Sequence, residues 1–369
     1  MHKKMHGLMV GLLLLGALPD VGAADRVVAD GAGRKVSVPA AVEHVICSGP
    51  GALRLLTYLQ AEEKIVAVDD MEKQRPRFDA RPYALANPQF KQAPIFGQFR
   101  GYDHPELILT LDPAPQVIFK TYPGMGHDPV ELQQKTGIPV VILQYGELAG
   151  DRSQLYRSLK IMGEVVGRQQ RAEQVISFFE EKIADLRQRT DPVPHKKRPT
   201  CFVGGIAFKG PHGFQSTEPG YPPFSFVGVK NVAAEELPVG KTVRHSNVAK
   251  EKIVQWDPDV LFLDLSSLQM GEGAGALFEL QTDPAYQTLS AVRAGRVYGL
   301  LPYNWYTRNF GSILANAYFI GKQLYPAQFA DIDPALVADE IYAFLVGKPV
   351  FDEMKRSFDN LAFEPIPVD

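Results

Sequence analysis

The chain has 369 residues, of which 45% are hydrophobic and 22% charged, with a formal net charge of −3. Such a composition marks a globular protein long enough for about two domains. It argues against a general nucleic-acid binder, which carries a clear basic excess.

The first 24 residues, MHKKMHGLMVGLLLLGALPDVGAA, combine basic Lys3 and Lys4, an apolar run from Leu8 to Leu18, and small residues at Gly22, Ala23 and Ala24. This is the pattern of a secretory signal peptide cleaved after Ala23 or Ala24, its apolar run too short for a stable membrane anchor. No cysteine stands at that point to carry lipid, so a soluble, exported protein is expected. Cys47 and Cys201 are the two cysteines of the chain. They fall at the opening strand of different halves and are read as buried free thiols.

Residues 25–39 read as a polar hairpin, with DGAGRK turning between VVA and VSV. The strand VEHVICS follows, then SGPG opening the helix GALRLLTYLQ, the strand KIVAVDD and the Pro- and Arg-rich loop MEKQRPRFDARPYALANP. Next come HPELILTLDPAPQVIFK as helix, turn and strand, the helix PVELQQKTG and the strand PVVILQY. Strands alternating with helices at these lengths indicate a parallel sheet covered on both faces.

Residues 151–189 break the alternation. Leu155, Leu159, Met162 and Val166 mark a helix ending at Gly167, and Val175, Ile176, Phe179, Ile183 and Leu186 mark a second from Arg168 to Arg189. At 1.5 Å per residue the second spans about 33 Å. After TDPVPHKKRP the alternation resumes with TCFVGGIAF. The reading is a signal peptide (1–24), an N-terminal lobe (25–166), a connecting helix (167–190) and a C-terminal lobe (191–369). The fold class is α/β, with two Rossmann-like lobes of parallel sheet joined by a long helix.

Part of the first lobe recurs in the second. HPELILTLDP aligns without gaps on AKEKIVQWDP, placing Glu106 on Glu251, Ile108 on Ile253, Leu111 on Trp256, Asp112 on Asp257 and Pro113 on Pro258. Each copy then runs into an apolar strand, so one helix-turn-strand unit occurs twice. Two linked lobes of an exported protein have a natural use as the walls of a ligand cleft.

Across nearly the whole mature chain, the stretches DGAGRKVSVPAAVEHVICSGPGALRLLTYLQAEEKIVAVDD, HPELILTLDPAPQVIF, KEKIVQWDPDVLFLDL and NWYTRNFGSILANAYFIGKQLYP resemble the helical-backbone class of periplasmic substrate-binding proteins. That class serves ABC importers of ferric siderophores, haem, cobalamin and related metal complexes. The resemblance implies a monomeric binding protein with no cofactor or resident metal of its own. Its ligand would lie in the interlobe cleft, with a ferric siderophore as the leading cargo and haem, a corrinoid or a metal oxyanion as alternatives. In this class a glutamate at the repeated motif of each lobe meets arginines of the membrane permease, which carries over to Glu106 and Glu251. A favourable position at the positive end of a helix dipole accounts for either glutamate singly.

In such a fold the ligand candidates lie on loops that leave the strands toward the cleft. From the first lobe these are Ser48, Arg75, Arg77, Arg100 and Tyr102, with Arg81 and residues 120–122 nearby; from the second they are Lys209, His212, Tyr221, Trp305, Tyr306 and Arg308. Arginine offers bidentate donors to oxyanions, and Trp and Tyr present flat apolar walls with a polar tip, a mixture suited to an anionic metal chelate. Plainer readings stand beside these: a solvated loop for Arg75, Arg77 and Arg81, core anchors for Trp305 and Tyr306, and an N-cap for Ser48. His104, His127, His212 and His245 are too scattered for a spaced metal motif, leaving only His212 or Tyr221 as ligands to an incompletely wrapped metal.

Enzyme motifs fare poorly. GEGAGA fits G-x-G-x-x-A but has no acidic residue about twenty positions on, and there is no GxxxxGK[ST] or G-x-S-x-G. An exported hydrolase is therefore a distant second, and a sensor presenting its closed form to a signalling receptor is a third reading.

Overall fold

The computed structural model describes residues 25–74, 77–234 and 243–368. The segment read as a signal peptide, and Arg75 among the candidate ligand residues, lie outside them. Strands β1 (Arg26–Ala29) and β2 (Lys35–Val38) form the expected antiparallel hairpin. Its turn is closed by the Asp30 carboxylate, which accepts the amides of Ala32 and Arg34 at 3.0 and 2.9 Å.

The first lobe is built on β3 (Val45–Ser48), β4 (Ile65–Asp69), β5 (Ile95–Gln98), β6 (Tyr102–Asp103), β7 (Val117–Thr121) and β8 (Val140–Leu143). They form one sheet in the order β6-β5-β4-β3-β7-β8, parallel apart from the two-residue β6. Side chains of a strand alternate between faces, so Val45 and Cys47 enter the main core while Ile46 joins Phe96, Ile108, Ile118 and Leu132 on the other side. Burial on both faces explains why these strands read as continuous apolar runs.

The second lobe repeats the plan with β9 (Thr200–Gly204), β10 (Ser216–Thr217), β11 (Lys230–Asn231), β12 (Ser246–Asn247), β13 (Val260–Asp264) and β14 (Val297–Leu300). Its parallel sheet runs β11-β9-β13-β14, matching β4-β3-β7-β8 of the first lobe, while β10 and β12 pair separately as a small antiparallel ribbon. The duplicated motif occupies equivalent places: the helix Pro105–Leu109 leads to β7 beside β3, and the helix Lys250–Trp256 leads to β13 beside β9. The likeness extends to the residue before each strand. Gln116 Oε1 accepts the His44 amide at 3.0 Å, and Asp259 Oδ2 accepts the Thr200 amide at 2.8 Å, each tying the neighbouring strand in place. Cys47 and Cys201 sit in the equivalent strands β3 and β9, buried and unpaired.

Helices Ser153–Val166 and Gln169–Thr190 connect the lobes, separated by Gly167 in a left-handed conformation that ends the first. The longer one buries Ala172, Val175, Phe179, Ile183 and Leu186 along one stripe. Phe179 packs edge-on against Tyr58 of the first lobe and against Phe310 of the second, with centroids 6.1 and 6.2 Å away. Late in the chain, the helix Pro334–Val346 crosses back to pack on the first-lobe helix Ala52–Tyr58. One hydrophobic core therefore runs through both lobes.

The Pro- and Arg-rich loop is more structured than its composition implies. It contains a short 3-10 turn, Asp70–Lys73, and a helix, Pro82–Ala86. Arg81 is neither a solvated side chain nor a cleft cation. It is fully buried between Asp79 and Glu72, with ion pairs of 2.9 and 3.1 Å, and donates to the carbonyls of Met71 and Gln74. A buried guanidinium demands such complete pairing, and two neighbouring acids within the same loop supply it. No helix among the described residues is long and apolar enough to cross a membrane.

Candidate functional site

A cavity of about 560 Å³ opens between the lobes. Its walls come from the segments that leave the carboxyl ends of parallel strands: Pro50 after β3, Met71 after β4, Arg100 after β5, Tyr122 after β7, residues 207–211 after β9, Gln269 after β13 and residues 303–308 after β14. Ligands of open α/β sheets bind at these ends, where successive loops diverge. Duplicating the sheet has set two such edges face to face.

Residues 303–308 form the centre of the site. Tyr306 and Thr307 adopt left-handed backbone (φ 47° and 64°), and Asn304 and Arg308 close the turn as a single antiparallel bridge. Such a conformation is costly for side chains of this kind and persists when its surroundings impose it. Here the constraint is Arg54, which is buried in the first lobe. Its guanidinium donates to the carbonyls of Arg308, Trp305 and Tyr306 at 2.9, 3.0 and 3.2 Å, and to the Tyr145 hydroxyl at 2.5 Å. Tyr145 in turn donates to the Arg308 carbonyl. Gly51 keeps the approach open, since a Cβ there would lie 2.2 Å from the Tyr145 ring.

Arg100, Tyr122 and Lys209 on the cavity wall also have positive φ, of 62°, 49° and 59°. The Arg100 amide donates to the Tyr306 hydroxyl at 3.2 Å, and the Tyr122 hydroxyl is 2.7 Å from that of Thr307, so the two walls touch at the base of the cleft. Under Arg100, a buried network of Lys120 with Asp103 (2.6 Å), Ser48 (3.1 Å) and the Gly101 carbonyl (3.1 Å) holds the turn in place.

The cavity is lined by four cations, Arg100, Lys209, Arg244 and Arg308, and by the aromatic rings of Phe99, Tyr122, Phe208, Tyr303, Trp305 and Tyr306. Among them lies the buried carboxyl of Glu218, which accepts the Tyr303 hydroxyl. Burial pushes the Glu218 carboxyl up to about 7, against the opposing pull of the Tyr303 hydrogen bond and of Arg308. Behind Tyr306, which donates to it, the Asp69 carboxyl is pushed up to about 8 by burial and by Glu72.

Five candidates from the sequence, Arg100, Lys209, Trp305, Tyr306 and Arg308, come together on this cavity. Others lie elsewhere. Ser48 is not an N-cap or a cleft residue but a buried member of the Lys120 network; Gly51, with φ 82°, starts the helix instead. Arg77 pairs with Asp359 at 2.9 Å on the surface, and Tyr102, on the edge strand β6, faces solvent. Tyr221 is buried behind Tyr303, their centroids 5.7 Å apart. His212 contacts the Phe208 carbonyl at 2.8 Å while the His245 ring stacks on Phe208 at 4.4 Å, so the pair braces an aromatic wall. Among the described residues no group of three or more His, Cys, Asp or Glu is placed to hold a metal ion.

The sequence reading missed Arg244, Glu218 and Phe208. Arg244 had no signal, since the stretch GKTVRHSNV around it has no Phe, Tyr or Trp; Glu218 had none either, because a single glutamate in a polar stretch reads as surface.

Residues 45–303 match the family model of the periplasmic binding proteins. The chain belongs to that family. Its members are solute carriers of ABC transporters, not enzymes, and work in the periplasm with a membrane permease. The chain is 21% identical over 363 residues to the molybdate-binding protein MolA of Haemophilus influenzae, covering 92% of this chain and 95% of that one. The molybdate-bound structure of MolA superposes with a TM-score of 0.65 at 19% identity, over 88% of this chain and 99% of MolA. A periplasmic solute binding protein from Veillonella parvula gives 0.68 at 17% identity, over 90% and 96%. An Fe3+-hydroxamate transport protein from Saccharomonospora viridis gives 0.51 at 18% identity, over 81% and 99%. These likenesses describe the two-lobed periplasmic binding protein fold.

Proposed function

We propose that this periplasmic binding protein captures an anionic metal chelate, with a ferric siderophore as the leading class, and delivers it as a monomer to a permease docked on Glu106 and Glu251. The observation that carries the reading is the lining of the cavity: four cations and six aromatic rings around about 560 Å³. That volume falls in the range of about 300–1,000 Å³ typical of pockets for drug-sized ligands. The cations supply charge-assisted hydrogen bonds, and the rings cover the apolar faces of a chelate. A bare oxyanion needs a small shell of converging donors and leaves most aromatic surface unused. The likeness to a molybdate-binding protein nevertheless favours that second reading, so molybdate belongs in the test.

Native mass spectrometry of protein taken from its own periplasm reads a retained ligand directly. Calorimetry with a trianionic ferric tris-catecholate and with molybdate then separates the classes. Tight binding of the chelate, weakened about ten-fold or more in Arg308→Ala, is the expected result. Binding of molybdate alone replaces the chelate reading by the oxyanion one.

A further inference from the structure

The two arginines at the second-lobe side of the cleft already have an anion between them. Glu147, on the loop after β8 of the first lobe, places one carboxylate oxygen, Oε2, 3.5 Å from Nη1 of Arg308 and 3.6 Å from Nη2 of Arg244. Both separations exceed ordinary hydrogen-bond length, so the carboxylate balances two guanidiniums without being locked to either. Arg308 is anchored through its backbone by Arg54 and Tyr145, which leaves its side chain to choose its partner.

We infer that Glu147 is a resident counter-anion of the cleft, occupying the charge position that the ligand takes over, and that it thereby selects for strongly anionic ligands. The inference rests on the proposed capture of an anionic chelate. In the ligand-free protein Glu147 offsets the repulsion between two cations held near each other. An entering ligand competes with it, and only a ligand whose charge outweighs one carboxylate gains by the exchange. The displaced side chain has room to move. It borders a second, open cavity of about 640 Å³ lined also by Gln144, Asp151 and Gln154. Gly150 leaves the present position free as well, for a Cβ there would lie 2.4 Å from Glu147 Oε1.

An internal competitor lowers apparent affinity by the fraction of molecules in which it holds the site. Calorimetry with a trianionic ferric tris-catecholate and with a neutral ferric tris-hydroxamate, on wild type, Glu147→Gln, Arg308→Ala and the double variant, tests this. Glu147 is partly exposed, and thermal melts of each variant confirm folding. Glu147→Gln is expected to bind the trianion about three-fold to ten-fold more tightly. The gain should fall below about two-fold in the Arg308→Ala background, where only Arg244 is left to hold the carboxylate. It should be absent for the neutral complex. Unchanged or weakened binding of the trianion by Glu147→Gln, or an equal gain for the neutral complex or in the Arg308→Ala background, overturns the counter-anion role while leaving the cleft reading intact. Failure of the wild type and every variant to bind either complex overturns the cleft reading, and this inference with it.

Discussion

Arg54 is a buried cation whose four hydrogen-bond partners, three carbonyls and one tyrosine hydroxyl, are all uncharged. Its task is to hold a strained turn of the other lobe, which makes it a positioning residue one step removed from the ligand. Arg54→Met would leave the Tyr306 carbonyl without its donor and the Trp305 and Arg308 carbonyls with only the neutral donors Asn309 and Tyr145, and should cost about 3 kcal/mol, read by urea denaturation. It should also weaken chelate binding, because residues 305–308 lose the support that aims them. Glu218 gives the site a pH response. With its folded-state pKa raised to about 7, the native protein holds this proton more tightly than the unfolded chain does. The resulting stability is fully present below the ordinary carboxylate range and is lost as pH rises through about 7. Asp264, pushed up by burial to about 6, and Asp69 act in the same sense. Thermal midpoints should therefore fall between pH 5 and pH 8, and Glu218→Gln should flatten part of that slope. An anionic ligand should also bind more weakly as Glu218 gains its charge, a trend that calorimetry on the Gln variant should not show.

At the scale of elements, the repeated helix-turn-strand serves two ends. Its strand occupies the same place in both sheets, and its helix presents an exposed glutamate in the first turn: Glu106 in Pro105–Leu109 and Glu251 in Lys250–Trp256. Around Glu106 the surface is unusually apolar, with Leu107 and Leu109 43% and 58% exposed. Two acidic points on two lobes suit a partner that straddles both, and exposed charges of this kind govern encounter and orientation. Reversing both to lysine should leave chelate affinity within about two-fold while uptake fails in cells lacking the native copy. Normal uptake by the double variant would return both residues to favourable helix-dipole positions, each worth about 0.3–1 kcal/mol.

For the whole molecule, the decisive feature is that the lobes share a core. Tyr145 stacks on Phe310 at 5.0 Å, Arg54 reaches across to residues 305–308, and the helix Pro334–Val346 packs on the first lobe. Wide hinge motion would break all of these contacts at once, whereas loops bearing Arg100, Lys209 and Arg244 can adjust around a fixed base. Small-angle scattering of free and ligand-saturated protein should show a change in radius of gyration below about 1 Å. A change of several ångströms would require the shared core to part.

The sequence by itself determined the strand-helix alternation of the first lobe, the long connecting helix and the duplicated unit. Hydrophobic period, proline stops and glycine ends are local signals that survive without knowledge of neighbours. It also showed that residues 303–308 mix cation and aromatic, and five of its site candidates met on one cavity. Tertiary structure alone decided which arginines face the cleft. Arg81 and Arg100 read alike in the chain, yet Arg81 is enclosed by Asp79 and Glu72 while Arg100 projects from a left-handed turn. Tyr221, singled out from the sequence, is buried behind Tyr303, and it is Tyr303 that reaches the cavity and the Glu218 carboxyl. Side chains on loops follow no period, and the partners that orient them, Arg54 for the central turn and Glu147 for Arg244 and Arg308, come from the other lobe. Their proximity exists only once the two sheets have been set edge to edge.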